Sequence, residues 1–221
     1  MLTLFFVDNL PTKVGQIYEF DNEDANHAVR VLRMKAGDIF MLSDGQGTWS
    51  QVKAFAVKKK SIEVEVVASG FQEQLPTTIT VVQALPKSDR AKEAIELLTE
   101  AGVDRIVPWQ SSRSIGKASD KFSVTAREAS KQSRRLRIPE VTDIATTEQI
   151  CEAIKLSDAV SSHNVANLLV IIGPEGGITP TELDQFVEAG AKVALMGRPI
   201  LRSAHAGIAA VSAISALLKV W

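Results

Sequence analysis

Cysteine is almost missing from this sequence: Cys151 is the only one among 221 residues. A single thiol excludes an internal disulfide and makes a structural zinc site implausible, because such sites need several thiolate or imidazole ligands. The sequence therefore fits a reducing compartment, and we expect a cytoplasmic protein without a bound metal. The ordinary interpretation of Cys151 is a small buried residue on a helix.

Long apolar runs are missing as well. The longest apolar stretches are interrupted well before the roughly 20 residues that a membrane-spanning helix needs. No charged segment followed by an apolar one marks the N-terminus as a secretion signal. We therefore expect neither membrane insertion nor export. The 45% of hydrophobic residues is still enough for one large domain or two small ones.

The chain also lacks an excess of charge of either sign, since 25 basic and 26 acidic residues give a net charge of −1. The overall charge balance thus does not indicate a polyanionic partner, but the basic residues are clustered locally. One such cluster alone is usually just a solvated surface, whereas several together favour contact with phosphate groups. The clustered residues are Arg30, Arg33, Lys35, Lys53 and 58–60, and then Arg127, Lys131, Arg134, Arg135 and Arg137.

The most informative stretch is 167–182, where an apolar, β-branched run stops at Gly173-Pro174-Glu175-Gly176-Gly177. This pattern predicts a buried strand, a tight loop and then a helix, because Thr179 and Glu182 have the spacing of a capping box. Glycines let the backbone of such a loop approach a ligand closely. A second strand and loop are predicted over 192–202. Two loops side by side at the carboxyl ends of parallel strands would form a pocket, and two ordinary turns are the alternative.

Residues 1 to about 70 have the pattern of a β-rich domain with one helix, at 23–33. That helix has acidic residues first and basic residues last, as the helix dipole favours. His27, Arg30 and Arg33 project away from its apolar face, as either an ordinary solvated surface or one that faces RNA. The predicted strands are Leu4–Val7, Gln16–Phe20, Asp38–Leu42 and Ser61–Val67, with turns at 44–47 and 58–60.

Beyond a polar linker at 69–77, strands alternate with helices. This alternation predicts an α/β fold whose mainly parallel sheet has helices on both faces. The last helix is apolar around its circumference and needs cover beyond its own sheet, which predicts a homodimer through the C-terminal domain. The predicted strands are 78–85, 105–109, 141–144, 168–172 and 192–196, and the predicted helices are 89–101, 124–136, 147–155, 180–189 and 203–219.

A series of short motifs follows in order along this part of the chain. They are Ala84-Leu85-Pro86-Lys87, Thr99-Glu100-Ala101-Gly102-Val103, Ser112-Arg113-Ser114, the run 128–135 with Pro139, the run 173–177 and the run 197–202. This series resembles the SPOUT-class RNA methyltransferases, and most closely the ribosomal RNA small-subunit methyltransferase E family. The resemblance extends to the N-terminal segment, where His27-Ala28-Val29-Arg30-Val31-Leu32-Arg33 and Gly37-Asp38 are similar to that family's PUA-like domain.

The resemblance implies two domains, a β-rich PUA-like RNA-binding domain at 1–72 and a SPOUT methyltransferase domain at 76–221. It implies a trefoil knot in the parallel sheet of the second domain, which is a known exception to the rule against knots. The cofactor implied is S-adenosyl-L-methionine, and the activity is methylation of the N3 atom of one uridine in 16S rRNA. The implied partners are 16S rRNA or the assembling small ribosomal subunit.

Site residues follow from the resemblance and from the chemistry of the reaction. Arg202 is the expected catalytic residue, because a cation there would stabilise negative charge that develops on the uracil. Glu175 and Glu100 are weak candidates for a general base. The expected RNA-binding residues are His27, Arg30, Arg33, Lys87, Arg134 and Arg135. The expected cofactor-binding residues are Leu85, Ile172, Gly173, Glu175, Gly176, Gly177, Leu195, Met196, Gly197, Ile200, Leu201, Arg202 and Ala206.

Two departures from the family pattern leave alternatives open. The family usually has an arginine just before the first Phe-Phe-Val, where this chain has Thr3-Leu4, and it usually reads Arg-Thr-Glu-Thr-Ala at 202–206, where this chain has Arg-Ser-Ala-His-Ala. The second change suggests an alternative function, an RNA-binding or assembly module whose cofactor loop no longer works. A nucleotide-dependent oxidoreductase is the weakest alternative, because 173–177 lacks dinucleotide-binding spacing.

Overall fold

In a computed structural model, the protein is described over residues 2–87, 89–116, 121–160 and 167–219. The chain divides into two units. The first contains Met1–Gln74 together with Ser130–Ile138, and the second contains Leu75–Ala129 together with Pro139–Trp221. The ends of the predicted domains at residues 1 and 221 lie outside the described residues.

The first unit is built on a five-stranded sheet with the order β1-β3-β4-β5-β2. Its strands pair in antiparallel fashion except for β1 and β3, which are parallel. Three phenylalanines, Phe5, Phe20 and Phe40, fill its core with ring centroids 5.3 to 5.8 Å apart. The elements are β1 (Leu4–Phe6), β2 (Ile17–Phe20), α1 (Glu23–Arg30), β3 (Ile39–Ser43), β4 (Thr48–Val57) and β5 (Ile62–Phe71).

Three features of this unit differ from the prediction, one missed strand and two element boundaries. Strand β4 was not among the predicted strands, although it pairs with β3 and β5. Strand β5 continues through 69–71, because these residues pair with Thr48–Ser50 of β4, so the first part of the predicted linker is strand. Helix α1 ends at Arg30 and not at Arg33, which has the left-handed φ of 55°.

The second unit contains a four-stranded parallel sheet with the order β8-β7-β6-β9. Its strands are β6 (Thr78–Ala84), β7 (Arg105–Trp109), β8 (Glu140–Val141) and β9 (Asn167–Ile172). Its helices are α2 (Asp89–Glu100), α3 (Lys121–Ser133), α4 (Thr147–Val160), α5 (Pro180–Glu188) and α6 (Ser203–Leu218), and residues 130–133 of α3 fall in the first unit. The α/β class and the parallel sheet therefore agree with the prediction.

Neighbouring residues of β6 belong to two different core clusters. Val81 packs with residues of α2 and α6, whereas Val82 packs with residues of α4 and α5. Because successive side chains of a strand point to opposite faces, the two clusters draw on opposite faces of the sheet.

The strand predicted over 192–196 is wrong for this structure. Residues 191–202 form no strand, and the side chains of Val193 and Leu195 are 69% and 91% exposed. A cavity of about 350 Å³ is lined by residues of β9, α5 and 190–194, and no ladder of backbone hydrogen bonds joins β9 to this segment. An apolar run becomes a strand only where a neighbour completes its hydrogen bonds.

Smaller differences concern the helix and strand ends of this unit. Helix α3 stops at Ser133, before the predicted end, and Arg134 follows with a left-handed φ of 62°. Strand β8 covers only Glu140–Val141, and α4 continues to Val160. In the described part of the chain, none of the helices combines the length and the apolar character that crossing a bilayer requires.

Candidate active site

Three loops follow neighbouring parallel strands of the second unit: 85–87 after β6, 110–116 after β7 and 173–179 after β9. The first two are in direct contact, because the Gly116 N–H donates to the Leu85 carbonyl oxygen at 3.3 Å. A side chain at Gly116 would collide with the Pro86 carbonyl oxygen, so only glycine permits this approach. Loops at the carboxyl edge of such a sheet are the usual place for a ligand.

The loop 110–116 also contacts the glycine-rich loop after β9. The Nη1 atom of Arg113 donates to the Gly176 carbonyl oxygen at 2.7 Å. A Cβ atom at Gly176 would lie 3.3 Å from both Cβ and Cδ of Arg113, which is tighter than ordinary packing. Gly176 thus packs closely against a protein side chain, so the absence of a Cβ atom there serves this contact as well as any ligand. Gly177 adopts a φ of 75°, which glycine tolerates best.

Glu175, a candidate base and cofactor residue, lies beside a cation. Its Oε1 atom is 3.3 Å from Nη1 of Arg90, and the two side chains are 30% and 46% exposed. An exposed pair of this kind adds little to stability. It does, however, direct the Glu175 carboxylate toward the start of α2.

Helix α6 begins against the Gly173 loop. The Ser203 hydroxyl donates to the Gly173 carbonyl oxygen at 2.7 Å and accepts from Nε2 of Gln83 at 3.0 Å. Both Gln83 and Ser203 are buried, at 2% and 6% exposure, and the Gln83 Oε1 atom is buried without a hydrogen-bond partner in the structure. Arg202 is the exposed residue just before this anchor and is the N-cap of α6. The start of α6 is therefore fixed to the glycine-rich loop.

His205, where the family pattern has threonine, contacts helix α2. Its Nε2 atom lies 3.2 Å from Oε1 of Glu93, with both side chains about half exposed. This contact gives His205 a role on the surface of α6 that needs no ligand.

The remaining predicted cofactor residues fall into two groups. Leu85 and Ile172 are buried at the ends of β6 and β9, and Ala206 packs against the core of the unit. The other group lies in the irregular segment before α6, where Gly197 has a φ of 129°. Its side chains are exposed: Leu195 at 91%, Met196 at 46%, Ile200 at 100% and Leu201 at 42%. The first group thus belongs to the core of the unit, and the second group is open to solvent.

The predicted RNA-binding residues also differ in their surroundings. His27, Arg30, Arg33 and Lys87 are exposed. Arg134 is half-buried and donates through Nη1 to the Lys131 carbonyl oxygen. Arg135 is half-buried too.

Part of the second basic cluster has a structural role in the first unit. Lys131, only 8% exposed, pairs with Asp24 at 2.7 Å. The guanidinium group of Arg137 donates twice to the Gln72 carbonyl oxygen, at 2.7 and 3.2 Å, and lies 5.1 Å from the centre of the Phe71 ring. These two cations are engaged by the protein itself, so the sequence overstated how many charges this cluster offers to phosphate.

Sequence reasoning missed the side chains that connect the loops. Arg113 and Glu182 were noted only as parts of a motif and a capping box, and Gln83 and Ser203 were not singled out as site residues. The sequence offers one indication of such side chains, which is that each is a polar residue inside or beside an otherwise apolar element. Within the described residues, no group of three or more His, Cys, Asp or Glu side chains is placed to hold a metal ion.

Comparison with known proteins identifies the class of protein to which this chain belongs. The family model described as "RNA methyltransferase domain" matches residues 73–215, and that described as "RNA methyltransferase PUA domain" matches residues 20–67. Ribosomal RNA small subunit methyltransferase E of Mycobacterium bovis is 30% identical, over 99% of this chain and 93% of the relative. The Bacillus subtilis protein of the same name is 28% identical, over 97% and 93%.

A solved structure agrees with these matches. The ribosomal RNA small subunit methyltransferase E of Neisseria gonorrhoeae, bound to S-adenosyl methionine, superposes with a TM-score of 0.84 at 25% identity and covers 98% of each chain. The chain belongs to the ribosomal RNA small subunit methyltransferase E family. The resemblance noted in the sequence is thereby confirmed, including the PUA-like N-terminal domain.

Proposed function

We propose that this protein transfers a methyl group from S-adenosyl-L-methionine to the N3 atom of one uridine in the 16S rRNA of the small ribosomal subunit. The observation that carries the proposal is the 30% identity, across 99% of the chain, to a relative named for small-subunit rRNA methylation. The convergence of three loops at the carboxyl edge of the sheet supports it. The test is the nucleoside content of 16S rRNA incubated with the protein and the cofactor, for which we expect one methylated uridine.

The residues around the glycine-rich loop fit a cofactor of this kind. Gly173, Gly176 and Gly177 have no side chains to cover their main-chain groups, and Leu85 and Ile172 supply buried apolar surface beside them. The cofactor's sulfonium supplies an already activated methyl group. The protein's own task is then to orient the acceptor base and to exclude competing water. We propose that Glu175, Leu195, Met196, Gly197, Ile200, Leu201 and Ala206 complete this pocket.

Arg202 is proposed as the catalytic residue. Uracil must lose its N3 proton before or as N3 attacks the methyl carbon and the bond from sulfur to that carbon breaks, so the ring carries negative charge in the transition state. A guanidinium group next to the Gly173 loop favours that charge, and the Ser203 anchor on Gly173 supports its placement there. Glu100 and Glu175 stay as candidates for the group that takes the proton.

RNA is proposed to bind through basic side chains of both units. His27, Arg30 and Arg33 are exposed on and after α1, which suits contact with phosphates. Lys87 is exposed directly after β6, beside the proposed cofactor site. Arg134 and Arg135 complete the proposed set.

The finer features of the fold are proposals as well. We propose domains at 1–72 and 76–221, helices on both faces of the parallel sheet, and the trefoil knot of the SPOUT class. The division of neighbouring β6 residues between two core clusters supports the helices on both faces. A single cysteine and the rRNA substrate support a location in the cytoplasm, and we propose that no metal takes part.

We also propose a homodimer through α6. Its Val211 is fully buried within the chain, but Leu217 and Leu218, at 83% and 41% exposure, leave an apolar surface near its end. Light scattering at micromolar concentration should give the mass of two 23.9 kDa chains. Replacing Leu217 by Glu should produce monomers, whereas Leu156→Glu, at a leucine on α4 that is 65% exposed, should not. A monomeric parent protein would contradict the dimer.

A further inference from the structure

The carboxylate of Glu182 joins two of the three loops at the proposed site. Its Oε1 atom accepts from the Ser112 N–H at 2.7 Å, in the loop after β7. Its Oε2 atom accepts from the N–H of Thr179 at 2.9 Å and from the Thr179 hydroxyl at 2.8 Å, in the loop after β9. Glu182 thus does more than complete the cap of α5, because a cap alone would use only the Thr179 side of the carboxylate.

The side chain of Glu182 is ionised although it is buried. The residue is only 3% exposed. Burial is the largest influence and acts to raise its pKa, but hydrogen bonds from Ser112 and Thr179 outweigh it and hold the pKa of Glu182 below the ordinary value of 4.5. A group with a lowered pKa stabilises the folded arrangement above its ordinary pKa and loses that effect in acid. The connection is therefore intact at neutral pH.

Arg113, the residue that follows Ser112, contacts the glycine-rich loop directly. Arg113 donates to the Gly176 carbonyl oxygen at 2.7 Å, and its aliphatic part packs over the space that a side chain at 176 would occupy. Gly116 fixes the far end of the same loop against Leu85. The loop after β7 is consequently held at three points, and Arg113 is the group it presents to the glycine-rich loop.

We propose that Glu182 and Arg113 form a clamp that fixes the shape of the 173–177 loop and thereby sets its affinity for the cofactor. Glu182 is a positioning residue that acts through Ser112, and Arg113 is the side chain that touches the loop. This inference rests on the proposed function. The proposal adds the loop after β7 to the cofactor site. The cofactor residues expected from the sequence lie at the ends of β6 and β9, in the loop after β9, in the segment before α6 and at the start of α6.

The test is titration calorimetry with S-adenosylmethionine on the full-length protein. Arg113→Ala and Glu182→Gln should each weaken binding by roughly 10-fold, the effect expected from one lost hydrogen bond that involves a charged group. Arg113→Lys keeps one donor for Gly176 and should recover most of the affinity. Because both residues act through one loop, the double variant should bind no more weakly than the weaker single variant, within error.

Two control variants separate this clamp from general stability. Thr179→Ala removes the helix cap but keeps the bond from Glu182 to Ser112, so it should lower Tm by about 2 to 4 °C while cofactor affinity is retained. Arg105→Ala removes a half-exposed arginine at the other end of β7, where it pairs with Glu140. This variant should change neither Tm nor cofactor affinity appreciably. The loss in the clamp variants should appear in the KM for the cofactor, whereas the KM for RNA should stay unchanged.

The outcomes are distinct. Parent-like cofactor affinity in Arg113→Ala and Glu182→Gln, with the parent binding normally, would overturn the clamp and leave the proposed function standing. Additive losses in the double variant would also overturn it, because they would show two independent contacts. If the parent protein itself bound no S-adenosylmethionine, the proposed function would fail, and the clamp with it.

Discussion

Replacing Arg202 by Ala is expected to lower the rate of methyl transfer by about 100-fold or more, the usual effect of losing one preorganised group that stabilises developing charge. Arg202 is exposed at the N-cap of α6, directly before the buried Ser203 that is hydrogen-bonded to Gly173. Its side chain makes no cap hydrogen bond, so its removal should not disturb the helix. The rate should be measured in a single turnover, with saturating RNA and cofactor.

Comparing the methyl-transfer rate of Arg202→Ala with its substrate affinity shows whether Arg202 acts on the chemical step. A group that acts on charge present only in the transition state lowers the rate and leaves substrate affinity nearly unchanged. The salt dependence of RNA binding should also stay unchanged, because Arg202 would face the base and not a phosphate. Arg198→Ala, four residues earlier in the same exposed segment, is a matched control and should retain the rate. A parent-like rate in Arg202→Ala would exclude its proposed role.

Removing the charges of Arg30 and Arg33 together should produce the second large effect, a loss of RNA affinity that depends on salt. Both side chains are exposed, one at the end of α1 and the other just after it. Each phosphate contact that is lost should lower the slope of log K against log salt by roughly one unit, because fewer counterions are released. The double variant should therefore lose roughly two units of slope and bind S-adenosylmethionine as the parent does.

The control for this pair removes two exposed lysines that have no proposed RNA contact, Lys92 and Lys155. Their double alanine variant should keep most of the slope, since only nonspecific charge has been removed. Filter binding or fluorescence titration over a series of salt concentrations measures both variants. If the Arg30 and Arg33 variant bound and methylated rRNA like the parent at physiological salt, the N-terminal unit would not hold the RNA in this way.

Local sequence patterns predicted most elements of the fold because the physical signals were strong. Glycine and proline end β9, and the capping box of Thr179 and Glu182 begins α5 as predicted. Strand β4 has a weaker signal, because inward-facing Ser50 and Ala54 dilute the alternation of apolar and polar residues. The apolar run 192–196 has a strong signal, but no ladder of backbone hydrogen bonds joins it to the edge strand β9, which local sequence cannot reveal.

The candidate site was predicted in part for a similar reason. Glycine-rich loops and exposed arginines are visible one residue at a time, so Gly176 and Arg202 could be proposed as site residues from the sequence. The contacts of Arg113 with Gly176 and of Glu182 with Ser112 join positions 63 and 70 residues apart in sequence. Such pairs depend on how the loops meet in the fold. Lys131 and Arg137 show the opposite error, since cations that looked available to RNA are engaged by Asp24 and Gln72.

The central claim is methylation of one uridine at N3, and mass spectrometry of rRNA nucleosides tests it most directly. The 16S rRNA, both free and in assembled small subunits, is incubated with S-adenosylmethionine and either the parent protein or Arg202→Ala, then digested and mapped. We expect one uridine per molecule to carry an extra methyl group and to co-elute with N3-methyluridine, and we expect strongly reduced product with the variant. RNA that is bound but gains no methyl group would contradict the account and favour an RNA-binding module, and a methyl group on any other atom would contradict the N3 assignment.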